Sequence, residues 1–522
     1  MIFADFLFRF KKKICVNHKN LRHLRSIVSG LSVLLLFSPI SISAQDFVWT
    51  PGLRQACTDI GKLKIQAARQ TLARETAINT QSANGLQIFL DDYADMMTLL
   101  ITDDEAQYNA WANRQDQRLD QLRKLDNQSP YYRLTQAEVR LHWAFAKLKF
   151  GREISACWDI IKAYKLLAEN QKRFPNFLPT YKSLGMLHVL IGSVPDNYGW
   201  VARLLGLRGS VQQGLAELNR AGQDPALRTE ARLIELLIRA YILKFSETDA
   251  RQLAQLVAEQ PDNALLPFFG AAISLKNGQG EQATTYLTNR PSGLAYLSLP
   301  TTENLLGDIF LQKSRYADAT GHYARFLAAY RGQNFLKDTH YKLFLCDWLA
   351  GNDTAALVHL RRVTGAGRTV VEADKVAQKF AESFLKQGAS VNQKVLMRAR
   401  LATDGGFTDE ALAQLKPLRE TSFVSVAEKA EFNYRIGRIQ QRRDQSDAAI
   451  PYFVRAIALC DGTTEVLSFG ATSALQLGYM YQQKKDRAAT RIYFEKALSY
   501  PRHEYKNSID NKARAALNGL SN

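Results

Sequence analysis

Residues 434–456 read YRIGRIQQRRDQSDAAIPYFVRA, and residues 475–497 read LQLGYMYQQKKDRAATRIYFEKA. A glycine, a phenylalanine and an alanine of the first stretch recur in the second, 41 positions later (478 minus 437). The recurring pairs are Gly437 and Gly478, Phe453 and Phe494, and Ala456 and Ala497. Self-similarity at a fixed offset is typical of a chain built from stacked helical hairpins.

The composition agrees with a helical-repeat protein. The chain has 522 residues, of which 46% are hydrophobic and 23% are charged. Runs rich in Ala, Leu, Gln, Arg, Glu and Lys show no sustained alternation of Val, Ile or Thr, so they favour helices over strands. We therefore predict an all-α fold, in which each unit packs on its neighbours and the usual size limit of a single core does not apply.

The repeats match a known helical pattern, which asks for small residues where two antiparallel helices approach and for bulky residues that fill the gap to the next hairpin. The matching residues are Gly437 with Ala449, Phe453 and Ala456; Gly478 with Phe494 and Ala497; Gly307 with Ala319 and Tyr323; Gly270 with Tyr286; and Gly185, which begins a further unit. On these residues the chain resembles the tetratricopeptide-repeat superfamily over roughly residues 131–522. The resemblance implies a right-handed superhelix, an α-solenoid whose concave groove binds peptides or protein segments, and no catalytic activity.

The N-terminus is typical of an export signal. Basic residues precede an apolar run at residues 27–37, and a stretch of small residues ends at Ala44. This order is that of a secretory signal peptide, which predicts delivery to a bacterial periplasm or cell envelope; an uncleaved membrane anchor is the alternative. We thus expect a signal peptide over 1–44, an N-terminal helical region over 45–130, repeat-like hairpins over 131–262 and a repeat array over 263–522.

One unit departs from the pattern. The repeat pattern places its second small residue 12 positions after the first. After Gly185, however, the next suitable small residue is Gly214, which lies 29 positions later. The apolar insert 192–209 accounts for the excess, and Ser210 is a natural N-cap for the resumed helix. The insert is either a contact surface for a partner or a bilayer, or an extra piece of core. If it is a contact surface, the candidate contact residues are Tyr198, Trp200, Leu204 and Arg208. From about residue 184 to 218 the chain also resembles the tetratricopeptide-repeat protein 39 family.

The charge is basic but does not by itself identify a partner. The formal net charge is +18; residues 1–44 carry about +6, which leaves +12 on the rest (18 minus 6). A basic surface fits an acidic protein, nucleic acid or anionic lipid, or is simply a solubilising excess spread over many helices. Because export removes the chain from nucleic acids, we predict a protein or peptide partner, with a membrane surface as the alternative.

No motif indicates chemistry. The sequence lacks a Gly-rich phosphate loop, HExxH, GxSxG and any Cys or His spacing of a metal site, so we predict no catalytic residue, cofactor, metal or small-molecule substrate. The acidic clusters at residues 91–92 and 103–105 are interpreted as residues on or near helix ends that complement the helix dipole. His142 and His188 are interpreted as core residues. Cys57 and Cys157 could pair in an oxidising compartment.

Overall fold

The computed structural model describes residues 46–78, 83–194, 205–388, 390, 392–503 and 505–520, and within these ranges it shows helices and turns without strands. The described residues form two compact units. Unit 1 comprises those up to Glu235 together with Ser292–Ser298, and unit 2 comprises Leu236–Pro291 and those from Leu299 onward. The predicted all-α fold of stacked helical hairpins is confirmed. The handedness of the superhelix and the bounds of the four predicted segments stay predictions.

Unit 1 is built from antiparallel helix pairs. Its helices are α1 (Pro51–Gly61), α2 (Ile65–Ile78), α3 (Gly85–Thr102), α4 (Glu105–Trp111), α5 (Arg114–Leu122), α6 (Pro130–Lys149), α7 (Glu153–Arg173), α8 (Pro179–Gly192), α9 (Val211–Ala221) and α10 (Arg228–Tyr241), which crosses the boundary. The pairs α1–α2, α6–α7 and α8–α9 pack as hairpins, and α3 packs on α6.

Two helix starts in unit 1 follow from local capping chemistry. The Ser129 hydroxyl accepts the backbone N–H of Tyr131, and Pro130 occupies the first turn of α6, where its missing N–H costs nothing. The Ser210 hydroxyl accepts the backbone N–H of Gln213, as the sequence predicted for the helix after the insert. The N-cap predicted at Ser210 is confirmed.

Unit 2 repeats one hairpin several times. Its helices are α11 (Glu247–Ala258), α12 (Leu265–Lys276), α13 (Gly280–Thr288), α14 (Thr301–Gln312), α15 (Tyr316–Ala329), α16 (Leu336–Ala350), α17 (Asp353–Gly365), α18 (Glu372–Gln387), α19 (Gln393–Gly405), α20 (Thr408–Leu415), α21 (Val426–Arg442), α22 (Ser446–Asp461), α23 (Phe469–Gln483), α24 (Arg487–Ser499) and α25 (Lys506–Asn518). The hairpins are α12–α13, α14–α15, α16–α17, α19–α20, α21–α22 and α23–α24.

Each of four hairpins in unit 2 is closed by a glycine under an aromatic ring. A Cβ atom on the glycine would lie 2.5 to 3.1 Å from the ring that stands 16 positions later, closer than ordinary van der Waals contact. The pairs are Gly270 with Tyr286, Gly307 with Tyr323, Gly437 with Phe453, and Gly478 with Phe494. The neighbouring alanines Ala319, Ala449, Ala456 and Ala497 are fully buried. The absence of a glycine side chain therefore sets the distance between the two helices.

The turn inside these hairpins also recurs. Ser314, Asp444 and Lys485 each stand seven positions after the hairpin glycine and have φ of 57°, 58° and 60°. This left-handed backbone conformation reverses the chain between the two helices, and it is uncommon for residues that carry a Cβ. The structure thus shows a turn repeat that the side-chain pattern alone did not reveal.

The four cysteines in the described ranges do not bridge. Cys57, Cys157, Cys346 and Cys460 are free thiols, and the last two are buried. Burial raises the pKa of the Cys57 thiol to about 12, which makes the reactive thiolate scarce at neutral pH. Cys346 and Cys460 are small core residues.

Candidate functional site: a basic face in unit 2

The predicted contact segment is described only at its ends. Tyr198, Trp200 and Leu204 lie outside the described residues. Arg208 is exposed, and its backbone is fixed because its carbonyl accepts the Tyr164 hydroxyl at 3.0 Å. Leu207 beside it is buried. The C-terminal end of the insert is thus packed on α7, and the four predicted contact residues stay a prediction.

Close backbone contact holds the two helices on either side of the insert. A Cβ on Gly214 would lie 2.4 Å from the carbonyl oxygen of Gly185, and one on Gly209 would lie 2.7 Å from Cα of His188. His188 is buried, and its ring Nδ1 pairs with the Glu217 carboxylate. The glycine pair therefore takes the place that the glycine–ring pair has in the hairpins of unit 2.

Cationic side chains from distant parts of the sequence converge on one surface of unit 2. We call this surface the basic face; its members are Lys244, Lys276, Arg400, Arg438, Arg442 and Lys512. Arg442 donates from Nη1 to the carbonyl oxygen of Gly278 at 3.1 Å, although the two residues are 164 positions apart. The Nζ atom of Lys244 lies 4.8 Å from the centroid of the Tyr479 ring. Helices α12, α19, α21, α23 and α25 all contribute to this surface or border it.

The cations of the basic face lie close enough to act on one another. Burial, together with the charges of Lys276 and Arg438, lowers the pKa of Lys512 to about 8. Burial likewise lowers the pKa of Arg442 to about 10, with a further contribution from Arg438. Positive charges from α12, α21 and α25 are therefore held together at a cost in electrostatic free energy.

Few carboxylates compensate for this charge. Asp404 lies near Lys276, but its closest cation is Arg400, whose Nε is 3.7 Å from the carboxylate. Glu431 is paired with Arg435 at 2.9 Å. Among the residues that the structure describes, no carboxylate lies within 4.0 Å of the Nζ atoms of the three lysines, which are Lys244, Lys276 and Lys512.

Tyrosine side chains and one glutamine amide lie next to the cations. The ring of Tyr241 lies 5.9 Å from Lys276 Nζ, and the hydroxyl of Tyr505 accepts a hydrogen bond from Arg400 Nη2 at 3.4 Å. The Gln476 side-chain oxygen accepts from Arg438 Nη1 at 2.8 Å. Tyrosines that border cations offer both an apolar plane and a hydroxyl, a combination enriched at protein interfaces.

The basic face is open to solvent. Lys244 and Lys276 are exposed, and Lys512 is half-buried. The surrounding protein nevertheless lowers the pKa of Lys276 through desolvation. The three lysines are therefore accessible to a partner.

A second charged cluster lies inside unit 1 and was not predicted. Asp92 is fully buried in the middle of α3, where its oxygens accept Trp143 Nε1 at 2.9 Å and Arg118 Nη1 at 2.8 Å and pair with His142 Nδ1 at 2.8 Å. The interpretation of Asp92 as a helix-terminal residue is wrong. Asp104, by contrast, caps α4 by accepting the backbone N–H of Gln107.

The unit 1 cluster continues through a lysine between two carboxylates. Lys182 Nζ is 2.9 Å from the Glu230 carboxylate and 3.8 Å from that of Glu138. The Tyr93 hydroxyl also donates to Glu230, and the Ser183 hydroxyl donates to Glu138. The positive charge of Lys182 holds the pKa of Glu230 below its usual range despite burial. Each buried charge has a partner, so we assign this cluster to the stability of unit 1.

Two further features of the described residues concern metal binding and membrane spanning. Within the described ranges, no group of three or more His, Cys, Asp or Glu side chains has the arrangement of a metal site. No helix in the part of the chain that the structure describes is long and apolar enough to cross a membrane.

Comparison with known proteins supports the repeat assignment. Residues 471–503, which hold α23 and α24, match the sequence model of the tetratricopeptide repeat. Together with the repeated hairpins of unit 2, this match confirms a helical-repeat protein that carries a tetratricopeptide-type unit at residues 471–503. The comparison with curated proteins yields no match.

Two solved structures show distant similarity. The apo form of the quorum sensor NprR from B. thuringiensis is 12% identical with a TM-score of 0.31, over 78% of this chain and 97% of that one. The APC/C hetero-tetramer Cut9–Hcn1 is 12% identical with a TM-score of 0.25, over 87% of this chain and 88% of that one. Similarities at these TM-scores carry no argument about individual residues of this chain.

Proposed function

We propose that this tetratricopeptide-type helical-repeat protein is an exported, non-catalytic scaffold that binds an extended segment of a partner protein along the basic face of unit 2. Protein interaction is the general role that its repeats support. The observation that carries the finer proposal is the convergence of cations and tyrosines from separate hairpins, among them three lysines that have no carboxylate within 4.0 Å in the described residues. A segment lying along successive hairpins would contact several of them at once.

The proposal of a non-catalytic role rests on how the polar groups of unit 1 are used. His142, Asp92 and Lys182 are buried or half-buried polar groups of this cluster, and each is engaged with a partner. A general base or nucleophile must instead be within reach of a substrate. We therefore place binding at the basic face and stability at the unit 1 cluster.

Site-specific photo-crosslinking tests the binding surface. A photo-reactive phenylalanine analogue replaces Tyr479, which borders the basic face, or Val454, an exposed residue of α22 that contributes nothing to it. We expect a discrete crosslinked protein band with the residue 479 variant in an envelope extract and none with the residue 454 variant. Equal labelling from both positions, or none from residue 479, would contradict the proposed surface.

The insert 192–209 is the second candidate contact, because backbone packing holds both of its ends next to unit 1 helices. Deletion of the insert in the same crosslinking experiment separates two roles. Loss of the residue 479 crosslink would assign the insert to partner binding. The alternative function, attachment to a bilayer through the insert and the basic surface, would instead appear as salt-sensitive co-sedimentation of the chain with anionic vesicles.

Export is proposed from residues 1–44, which lie outside the described residues. We expect the chain recovered from a bacterial envelope fraction to begin at Gln45, because the small residues before it fit signal-peptidase cleavage. Mass spectrometry of the N-terminal peptide measures this directly. An intact N-terminus in a membrane fraction would support the anchor, and an intact N-terminus in the cytoplasm would overturn export.

A further inference from the structure

The charge balance of the basic face determines which partner chemistry fits it. Six cations share this surface with the carboxylates Asp404 and Glu431, and the second is already held by Arg435. The excess is at least four positive charges (six minus two). Because the charges of Lys276 and Arg438 help to lower the pKa of Lys512, the free protein holds like charges together with only partial compensation from Asp404.

A ligand that brings negative charge would relieve this repulsion. Carboxylates placed near Lys276 and Lys512 would form charge-assisted hydrogen bonds with ammonium groups that lack a carboxylate partner among the described residues. The same ammonium groups would repel a basic segment, because like charges brought into contact are unfavourable. Complementary charge thus selects the sign of the partner.

The surroundings of the cations favour a polypeptide over other polyanions. Arg442 is half-buried and already donates to the turn at Gly278, so a flat bilayer surface would engage the exposed lysines but not this guanidinium. The side chains of Tyr241, Tyr479 and Gln476 border the cations. Tyrosine rings and an amide suit the alternating apolar and hydrogen-bonding groups of an extended peptide.

We infer that the basic face of unit 2 binds an acidic segment of a partner protein, an extended stretch rich in Asp and Glu. This inference rests on the proposed scaffold function and specifies its partner. Lys276 and Lys512 supply the central charges, Arg438 and Arg400 flank them, and the tyrosines contact the segment between its carboxylates.

Fluorescence anisotropy with defined peptides tests the inference. The probe is a labelled twelve-residue peptide of alternating Glu and Ala, and the matched peptide carries Gln in place of every Glu. We expect the Glu peptide to bind the full mature chain at least tenfold more tightly than the Gln peptide at about 0.15 M salt. Its affinity should fall steeply with added salt, because exposed ion pairs are screened.

Charge-reversal variants locate the binding. Lys276→Glu combined with Lys512→Glu should weaken binding of the Glu peptide by more than tenfold. The matched control combines Lys379→Glu with Arg491→Glu, which changes the same net charge at exposed positions of α18 and α24 and should stay within about twofold. Helicity and thermal unfolding of each variant, measured by circular dichroism, show whether the fold is retained. If the double reversal unfolds, Lys276→Gln alone provides the test.

The outcomes separate the inference from the scaffold function. Equal binding of the Glu and Gln peptides, or equal weakening by both double variants, would overturn the acidic-segment inference. A protein crosslinked at residue 479 would then leave the scaffold function standing. Tighter binding of inorganic polyphosphate than of the Glu peptide would overturn a protein partner in favour of another polyanion. Failure of every peptide together with absence of a crosslink would overturn both proposals.

Discussion

Replacement of Gly307 by Ala should lower the free energy of unfolding of unit 2 by about 2–3 kcal/mol, although alanine is the better helix former. A Cβ at residue 307 would lie 2.5 Å from Cε1 and 2.7 Å from Cδ1 of the Tyr323 ring. Real Cβ atoms do not approach other atoms so closely, so either the ring or a helix of the α14–α15 hairpin must move.

The Tyr323 ring has little freedom to move. It is fully buried, and its hydroxyl donates to Asp308 at 2.7 Å, which in turn pairs with Lys342 at 2.7 Å. Displacement of the ring would break this buried chain of polar contacts in addition to disturbing the packing. The cost of overpacking therefore exceeds the gain of about 1 kcal/mol expected from helix propensity.

Gly321 supplies a control within the same hairpin. It lies in α15, where a Cβ would meet only the end of the Arg325 side chain at 3.6 Å. Gly321→Ala should raise the free energy of unfolding by about 0.5–1 kcal/mol, because alanine loses less backbone entropy and nothing obstructs it. Urea unfolding followed by circular dichroism measures both variants. A stabilising Gly307→Ala would show that the glycine–ring contact does not set the helix spacing.

The glycine–ring pairs explain why the fold was predictable from the sequence. The 41-residue recurrence of Gly437 and Gly478 marks positions where two helices touch, and such contacts are local in the chain. Capping residues act over even shorter distances, which is why the sequence identified Ser210 as a helix start. Contacts within one hairpin leave a signature in one stretch of sequence.

The charged clusters left no such signature. Asp92 and His142 are 50 positions apart, and Arg442 reaches a carbonyl 164 positions away. Which cations of unit 2 converge depends on the angle between successive hairpins, and small packing differences accumulated over several repeats determine that angle. A count of charges gives the excess of +12 for the residues after 44, but it does not show which of these cations share one surface.

The loss of Lys182 should destabilise unit 1 strongly. Lys182→Met leaves the carboxylates of Glu138 and Glu230 without their shared cation, and we expect the free energy of unfolding to fall by about 3–5 kcal/mol at pH 7. The Glu138 side chain is only 7% exposed, so water cannot replace the lost ammonium group. Lys165→Met, at an exposed position of α7, is the matched control and should change stability by less than about 0.5 kcal/mol.

The pH dependence of this loss distinguishes an electrostatic cause from a packing defect. In the native protein the pKa of Glu230 is lowered, so the stability it contributes is present above its unfolded pKa and is lost as the pH falls through the folded pKa. In the variant, Glu230 loses the cation that lowers its pKa, so burial should raise that pKa, and protonation in acid relieves the unpaired charge. The stability difference between the two proteins should therefore be largest at pH 7 and shrink towards pH 4, as followed by thermal unfolding across that range. A difference that stays constant with pH would show that Lys182 acts through its aliphatic chain rather than through its charge.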